Sequence, residues 1–103
     1  IMRIRIDMTG VDTSKKFYET YYKETANNDG MYNSTLTKSK RELTLAEYVE
    51  KFTPFSIDGN YIYGEEYSFK KCGDTNIDYI MLAMNRYSQS KYQYMKDDKW
   101  IDR

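Results

Sequence analysis

The residues in this sequence that could perform chemistry are carboxylates, because the chain of 103 residues contains no histidine and one cysteine. Asp7 and Asp12 flank the end of a predicted strand in the segment IDMTGVD. Carboxylates at a strand end commonly hold Mg²⁺ in enzymes that transfer phosphoryl groups. The alternative is that Asp7 faces solvent on the strand and that Asp12 caps a helix. Since no third carboxylate follows at a fixed spacing, we favour the alternative and predict no metal site.

A second group of carboxylates comprises Glu65, Glu66 and the more distant Glu47. A pair of such groups can act as general acid and base in glycoside hydrolysis. Neighbouring residues in a turn point apart, however, and a chain of this length has room for little more than one modest core. We therefore interpret these glutamates as solvated side chains.

Nucleophilic catalysis finds equally little support in the sequence. Cys72 is the single thiol, beside Lys70 and Lys71, and no imidazole is present to activate it. We interpret it as a structural, half-buried cysteine rather than a reactive one. The glycines are isolated and form no phosphate-binding loop. The sequence thus predicts no catalytic, cofactor-binding or metal-binding residues, and a protein that is not an enzyme.

One short basic cluster is a candidate for binding nucleic acid. It contains Lys38, Lys40 and Arg41, which Arg3, Arg5 and Tyr32 could join as a patch that stacks bases and neutralises phosphates. The alternative is a solvated loop, as short lysine-rich segments usually are. The chain carries 16 basic and 16 acidic residues, and neither half is biased, which argues against a dedicated nucleic-acid module.

The most unusual feature of the composition is tyrosine, with 12 residues against four phenylalanines and one tryptophan. A domain of this size cannot bury every ring and pair every phenol, so some rings must lie at the surface, where tyrosine is a favoured interface residue. Codon bias in an AT-rich genome is an equally good explanation of the excess. Five aromatic residues form the predicted contact set for a partner protein: Tyr18, Tyr22, Tyr92, Tyr94 and Trp100.

Hydrophobic spacing predicts the elements that position these residues. Alternation over residues 2–8 predicts a half-buried strand. Contacts at i,i+4, such as Phe17 with Tyr21, favour a helix over residues 13–26. The spacing of Ile77, Ile80, Met81, Met84 and Tyr87 predicts a longer helix over residues 75–95, capped by Thr75 or Asp74. A strand over residues 77–84 is the competing interpretation.

The middle of the chain has clearer local signals. The segment from Thr44 to Glu47 is a capping box, which predicts a short helix over residues 44–52 that Pro54 ends. The Asp58-Gly59 pair predicts a hairpin over residues 56–63. A further turn at residues 64–66 leads to a predicted strand that includes Tyr67 and Phe69. Residues 31–41 read as a loop, or as an exposed strand over residues 32–37, and the sequence leaves the structure of residues 31–43 open. Near the end of the chain, Trp100 either docks on the body or anchors a partner.

These elements predict an α+β fold, in which two main helices (13–26 and 75–95) and a short one (44–52) pack on a small antiparallel sheet. We expect one domain, residues 1–103. The sequence shows no membrane span or leader, and Ile1 ahead of Met2 could be a vector-derived residue. Together with the single cysteine, this suggests a cytoplasmic protein that does not bind membranes.

The expected function is therefore binding rather than catalysis. We expect a protein-binding module, of the regulator or inhibitor type encoded by phages and mobile elements, that occludes a partner through its tyrosines and Trp100. The alternative is a nucleic-acid-binding accessory protein that uses residues 38–41. A metal-dependent enzyme using Asp7 ranks third. The sequence leaves the oligomeric state and the identity of the partner open.

Overall fold

The structure is a computed structural model that describes residues 1–26, 34–72 and 75–103. Within these ranges it contains seven strands and three helices. In chain order they are β1 (Arg3–Asp7), β2 (Phe17–Ala26), β3 (Ser34–Leu43), α1 (Leu45–Phe52), β4 (Ser56–Asp58), β5 (Tyr61–Glu65), α2 (Glu66–Lys71), α3 (Asp78–Ser88), β6 (Gln93–Lys96) and β7 (Lys99–Asp102). The predicted α+β class, with a small antiparallel sheet, is confirmed.

The body of the protein is a five-stranded antiparallel sheet with the strand order β4-β5-β1-β6-β7. The predicted first strand is its central strand, β1. Because side chains alternate along a strand, Ile4 and Ile6 point to one face of the sheet, while Arg3 and Arg5 point to the other. Both isoleucines are completely buried beneath the helices. No element in the described part of the chain packs over the opposite face, where Arg3 is exposed and Arg5 is half-buried.

The core lies between this sheet and the helices. Its completely buried members include Val49 of α1, Ile62 of β5 and Ile80 of α3. No helix in the described part of the chain is both long enough and apolar enough to cross a membrane.

The short helix is the best-predicted element. α1 runs from Leu45 to Phe52, against a prediction of 44–52. The hydroxyl of Thr44 accepts a hydrogen bond from the N–H of Glu47, and the carboxylate of Glu47 accepts one from the N–H of Thr44. This is the reciprocal capping box expected from the sequence. The predicted hairpin is also present as β4 and β5, with Gly59 in the left-handed region at φ 59°.

The predicted helix over residues 13–26 is wrong, because residues 17–26 form strand β2. Six of its ten residues are Phe, Tyr or Thr, which favour strands. Along its whole length β2 pairs with β3, which runs from Ser34 to Leu43. The strand alternative for residues 32–37 was therefore the better one, although residues 31–33 lie outside the described part of the chain.

The predicted helix over residues 75–95 is correct only in its central part, Asp78–Ser88. Ile77 occupies the N-cap position without a side-chain cap, so Thr75 does not cap this helix, and Asp74 lies outside the described residues. The helix stops early because Ser90 adopts a left-handed backbone (φ 59°). The chain then turns back as β6, and β6 pairs with β7.

Two smaller predictions also fail. The segment with Tyr67 and Phe69 is not a strand but the short helix α2, which buries Phe69. Gly64 lies inside strand β5 rather than in a turn. Within residues 96–103, which had no assigned element, Lys99–Asp102 forms β7 after a two-residue turn with positive φ at Asp97 and Asp98.

β2 and β3 form a separate two-stranded sheet that extends beyond the body. Each strand has ten residues, which corresponds to a length of about 34 Å. The protein is accordingly elongated, with overall dimensions of 65 × 28 × 24 Å. This hairpin is held at its base, where Leu43 is buried and Phe17 stacks on Tyr48 of α1 at 4.3 Å between ring centroids.

Candidate interaction surface

The pairing of β2 with β3 brings residues from two separate predictions onto one side of the hairpin. Tyr22 lies directly opposite Lys38, and Thr20 lies opposite Lys40. Opposite residues in an antiparallel pair share a face, as do residues two apart along one strand. Tyr18 and Tyr22, predicted to bind protein, therefore lie beside Lys38 and Lys40, predicted to bind nucleic acid.

This surface, called the hairpin face below, also includes Leu36, which the sequence analysis did not select. Tyr18 is 61% exposed, Tyr22 67% and Leu36 68%. Exposed apolar side chains that are grouped on one surface, rather than scattered, are typical of interaction sites. Lys38 and Lys40 are exposed and have no hydrogen bond or ion pair to any other residue that the structure describes. Glu24 and Glu42 share this face, since they lie opposite Leu36 and Tyr18, and Glu42 pairs with Lys16 at 3.0 Å. The hairpin face thus combines exposed apolar side chains with charges of both signs.

Arg41 does not belong to this surface. It lies on the other side of the hairpin, opposite Glu19, whose carboxylate accepts a hydrogen bond from Arg41 at 2.9 Å. The same carboxylate also accepts one from the ammonium of Lys51 in α1. These contacts, with Lys51 the larger, hold the pKa of Glu19 below its usual value. Arg41 and Glu19 therefore contribute to holding the base of the hairpin against the body.

Tyr92 lies on the body and takes part in a column of stacked rings. Its ring lies 4.8 Å from that of Tyr87, which in turn lies 5.7 Å from Phe69. The phenol of Tyr92 accepts a hydrogen bond from Nε of Arg103 at 2.9 Å. The phenol of Tyr87 donates one to Glu66, and burial followed by this bond raises the pKa of Tyr87 to about 12. Tyr92 is half-buried and already has partners on the body.

Tyr94 and Trp100 lie on opposite faces of the sheet. Tyr94 is opposite Ile4 and Ile101, so it points to the helical side and packs against the core. Trp100 is opposite Met95 and points to the uncovered side. The five aromatic residues of the predicted contact set are therefore distributed over three different places: the hairpin, the helical side and the uncovered side of the sheet.

The uncovered side of the sheet, called the open sheet face below, is rich in arginine and aromatic residues. Arg5 lies over the ring of Tyr61 at 4.3 Å and over that of Trp100 at 4.6 Å, while its Nε donates to Gln93 at 2.7 Å. Arg3 lies 5.4 Å from the ring of Tyr63. Arg3 and Arg5 therefore contact aromatic rings of the sheet and do not form one basic patch with Lys38 and Lys40. Tyr32, their other suggested partner, lies outside the described residues.

The carboxylates considered for catalysis hold local structure. Asp7 accepts hydrogen bonds from the hydroxyl and N–H of Thr9, and these lower the pKa of Asp7. Asp12 accepts from the N–H of Ser14 in the same way, with the pKa of Asp12 lowered. In residues 1–26, 34–72 and 75–103, no three Asp, Glu or Cys side chains lie close enough together to hold a metal ion.

The other two candidate groups are similarly placed. Glu47 completes the cap of α1, whereas Glu66 lies near the ammonium of Lys70 at 3.3 Å and bonds Tyr87. Glu65 is exposed at the end of β5. The thiol of Cys72 is half-buried beside the core cluster. Glu47 and Glu66 thus belong to separate local contacts.

Comparisons with family models, curated proteins and solved structures find no match to this chain. The function of this protein must therefore be inferred from its own surfaces, the hairpin face and the open sheet face.

Proposed function

We propose that this protein is a non-enzymatic binding module that docks on a partner protein through the hairpin face. The observation that carries the proposal is the exposure of Tyr18, Tyr22 and Leu36 together on one side of a projecting hairpin. Exposed apolar area lowers stability and solubility unless a partner covers it. A projecting hairpin can also enter a cleft that a flat surface cannot.

The chemistry of the hairpin face indicates how it binds. A tyrosine ring can bury about 150–250 Å² and loses little rotamer freedom, so two such rings can anchor an interface. Lys38 and Lys40 then set the orientation by facing carboxylates on the partner, because charge pairs contribute more to specificity than to affinity. By filling a groove on its target, the hairpin acts as a regulator or inhibitor, of the type that phages and mobile elements encode.

The non-enzymatic part of the proposal has its own support. Asp7, Asp12, Glu47 and Glu66 are each engaged in a cap, a turn or a pairing with a neighbour. Catalytic carboxylates act in pairs or with a bound metal, so side chains that are committed to separate local contacts are poor candidates.

A photo-crosslinking experiment tests the hairpin as the contact element. A photoreactive phenylalanine analogue replaces Tyr22 in one variant and Tyr67 in a control, because both side chains are 67% exposed but Tyr67 lies on α2. We expect an adduct with a discrete protein only from the Tyr22 variant, and Leu36→Asp should abolish it. Equal adducts from both positions, or none from Tyr22, would contradict the proposal.

A nucleic-acid partner is the second candidate, because Lys38 and Lys40 lie on the same face as Tyr18 and Tyr22. A two-stranded ribbon fits the major groove of DNA, and exposed tyrosines can stack on single-stranded bases. Affinity for DNA or RNA would then fall steeply with salt, and Lys38→Gln with Lys40→Gln would flatten that slope, whereas Arg41→Gln would not. Absence of binding at about 50 mM salt would remove this candidate.

A further inference from the structure

One end of the open sheet face contains a depression that gathers positive charge. It has a volume of about 600 Å³ and lies where β1 ends and β6 begins, beside the last turn of α3. Two tyrosines and two carboxylates line it together with four cationic side chains, which are Arg5, Arg86, Lys91 and Arg103. Within residues 1–26, 34–72 and 75–103, none of these four cations forms an ion pair.

Three of these cations are arginines, and each is held by a neutral acceptor rather than by a carboxylate. Nε of Arg5 donates a hydrogen bond to the side-chain oxygen of Gln93 at 2.7 Å. Nε of Arg103 donates one to the phenol oxygen of Tyr92 at 2.9 Å. A terminal nitrogen of Arg86 donates one to the main-chain oxygen of the last residue of β1 at 2.6 Å. These bonds orient the guanidinium groups without neutralising them, which reduces the ordering cost when an anion binds.

The lysine lies beside two of the arginines because of the path of the main chain. The N–H of Lys91 donates a hydrogen bond to the main-chain oxygen of Arg86 at 2.9 Å. The N–H of Arg103 donates one to the main-chain oxygen of Tyr92, the residue after this lysine, at 3.0 Å. The side chain of Lys91 is exposed and makes no hydrogen bond or ion pair with a residue that the structure describes. A ligand in the depression can therefore meet Lys91 without displacing one of those residues.

The two carboxylates of the depression are also engaged by neutral groups. Asp102 accepts a hydrogen bond from the side-chain amide of Gln93 at 2.7 Å. Asp7 accepts its hydrogen bonds from the hydroxyl and the N–H of Thr9. With four cations against these two carboxylates, the depression has an excess of two positive charges.

A phosphate monoester fits this arrangement. It carries about 1.5 to 2 negative charges at neutral pH, which matches the excess, and its three terminal oxygens accept hydrogen bonds. The fork of an arginine binds such oxygens in pairs, and a lysine adds a point charge. A depression of about 600 Å³ is also in the size range of sites for small organic molecules, so it has room for more than a phosphate group. Tyr61 and Tyr92, both half-buried, line the space for the organic part.

We propose that this depression is a binding site for a small phosphate monoester, whose phosphate lies against Lys91 and the neighbouring arginines. The site goes beyond the proposed function, since the depression lies on the body and shares no residue with the hairpin face. Inorganic phosphate and a small dicarboxylate are the competing ligands of similar charge.

Isothermal titration calorimetry of the whole chain tests the site with defined compounds. Adenosine monophosphate and glucose phosphate are the phosphorylated compounds, and adenosine and glucose are their unphosphorylated controls. We expect at least one phosphorylated compound to bind with a dissociation constant below about 1 mM, while its control does not bind. Inorganic phosphate and succinate, which lack either the organic part or the phosphate, should bind at least about tenfold more weakly.

A double variant locates the binding in the depression. Lys91→Gln with Arg103→Gln removes two positive charges, so the dissociation constant should rise at least about tenfold. Lys96→Gln with Lys99→Gln is the matched control, because it removes two exposed lysines of β6 and β7 that do not line the depression. The control should change the dissociation constant less than about twofold. Asp102→Asn removes a negative charge and should strengthen binding, and weaker binding would contradict the charge argument.

Circular dichroism checks that each variant folds. If the double variant does not fold, Lys91→Gln alone replaces it, because this side chain has no described partner to lose, and it should raise the dissociation constant at least about threefold. Four results would overturn the inference: no phosphorylated compound binds, an unphosphorylated control binds as tightly as its ester, inorganic phosphate or succinate binds as tightly as the ester, or the depression variant weakens binding no more than the control variant.

Discussion

Replacing Gly64 with alanine should destabilise the protein by overpacking its core. A Cβ atom at Gly64 would lie 2.6 Å from Cδ1 of Phe55 and 3.1 Å from Cε2 of Phe69. Ordinary carbon contacts lie at 3.4–4 Å, so the Phe55 ring would have to move by nearly one ångström. That ring is itself packed on Phe69, 4.7 Å away between centroids, and both rings are buried. The core therefore has little room to relax.

Insertion of a methyl group into a packed core typically costs about 1–3 kcal/mol. For a domain of this size, a loss of about 2 kcal/mol lowers the melting temperature by about 8–16 °C. Thermal unfolding monitored by circular dichroism measures the change. Gly10→Ala is a comparison rather than a matched control: Gly10 has open space around it but a φ of 87°, so a loss there measures backbone strain, which Gly64 does not have.

A second substitution tests the assigned cause. If Phe55 is the obstacle, Phe55→Leu should cost less in the Gly64→Ala background than in the wild type, with a coupling of about 1 kcal/mol. A Gly64→Ala protein that melts within about 2 °C of the wild type would refute the steric argument. Additive losses in the double variant would show that the Phe55 ring is not what the methyl group meets.

Three further predictions concern the hairpin base and the half-buried phenol of Tyr87. The pKa of Glu19 is lower in the folded than in the unfolded chain, so this group favours folding above its unfolded pKa, and the contribution is lost as pH falls through its folded pKa. The free energy of unfolding of Glu19→Gln, measured by denaturant titration, should therefore fall less in acid than that of the wild type. Tyr87, with its pKa raised to about 12, favours folding below pH 10, and that contribution disappears as pH rises towards 12. Glu66→Gln should lower the pKa of Tyr87 without returning it to the usual value, since burial remains, as carbon NMR of the ring would detect; an unchanged pKa would exclude the hydrogen bond as a cause. Phe17→Ala removes the stacking on Tyr48, so amide hydrogen exchange should accelerate in β2 and β3 and stay unchanged at Ile4. Unchanged protection in β2 and β3 would show that other contacts hold the hairpin.

The sequence predicts well where one short segment contains the whole signal. The cap of α1 depends on Thr44 and Glu47, three residues apart, and both bonds form as expected. The Asp58-Gly59 turn is equally local. The helix prediction fails for residues 17–26 because an aromatic spacing of four residues fits one face of a helix and also one side of a strand. What decides between them is pairing with residues 34–43, which local spacing does not reveal.

The same ambiguity explains how much of the hairpin face was predictable. Tyr18 and Tyr22 share a side in either conformation, so selecting them together did not require the correct element. Lys38 and Lys40 are two residues apart and also share a side of a strand. Arg41 is adjacent to Lys40 and falls on the opposite side, which a loop interpretation could not show. Leu36 was missed because its exposure depends on the hairpin extending beyond the body, which the local sequence does not show.

The one-to-one pairing of the ten-residue strands makes the length of the projection adjustable in steps. Deleting two consecutive residues from β2 and their two opposite residues from β3 would shorten the arm by about 7 Å, while every remaining side chain keeps its orientation. Deleting a single residue from each strand would instead exchange the two sides of the hairpin for every side chain beyond the deletion. Evolution can thus change how far this arm extends only in even increments, if the outward pattern of tyrosine and lysine is to be retained.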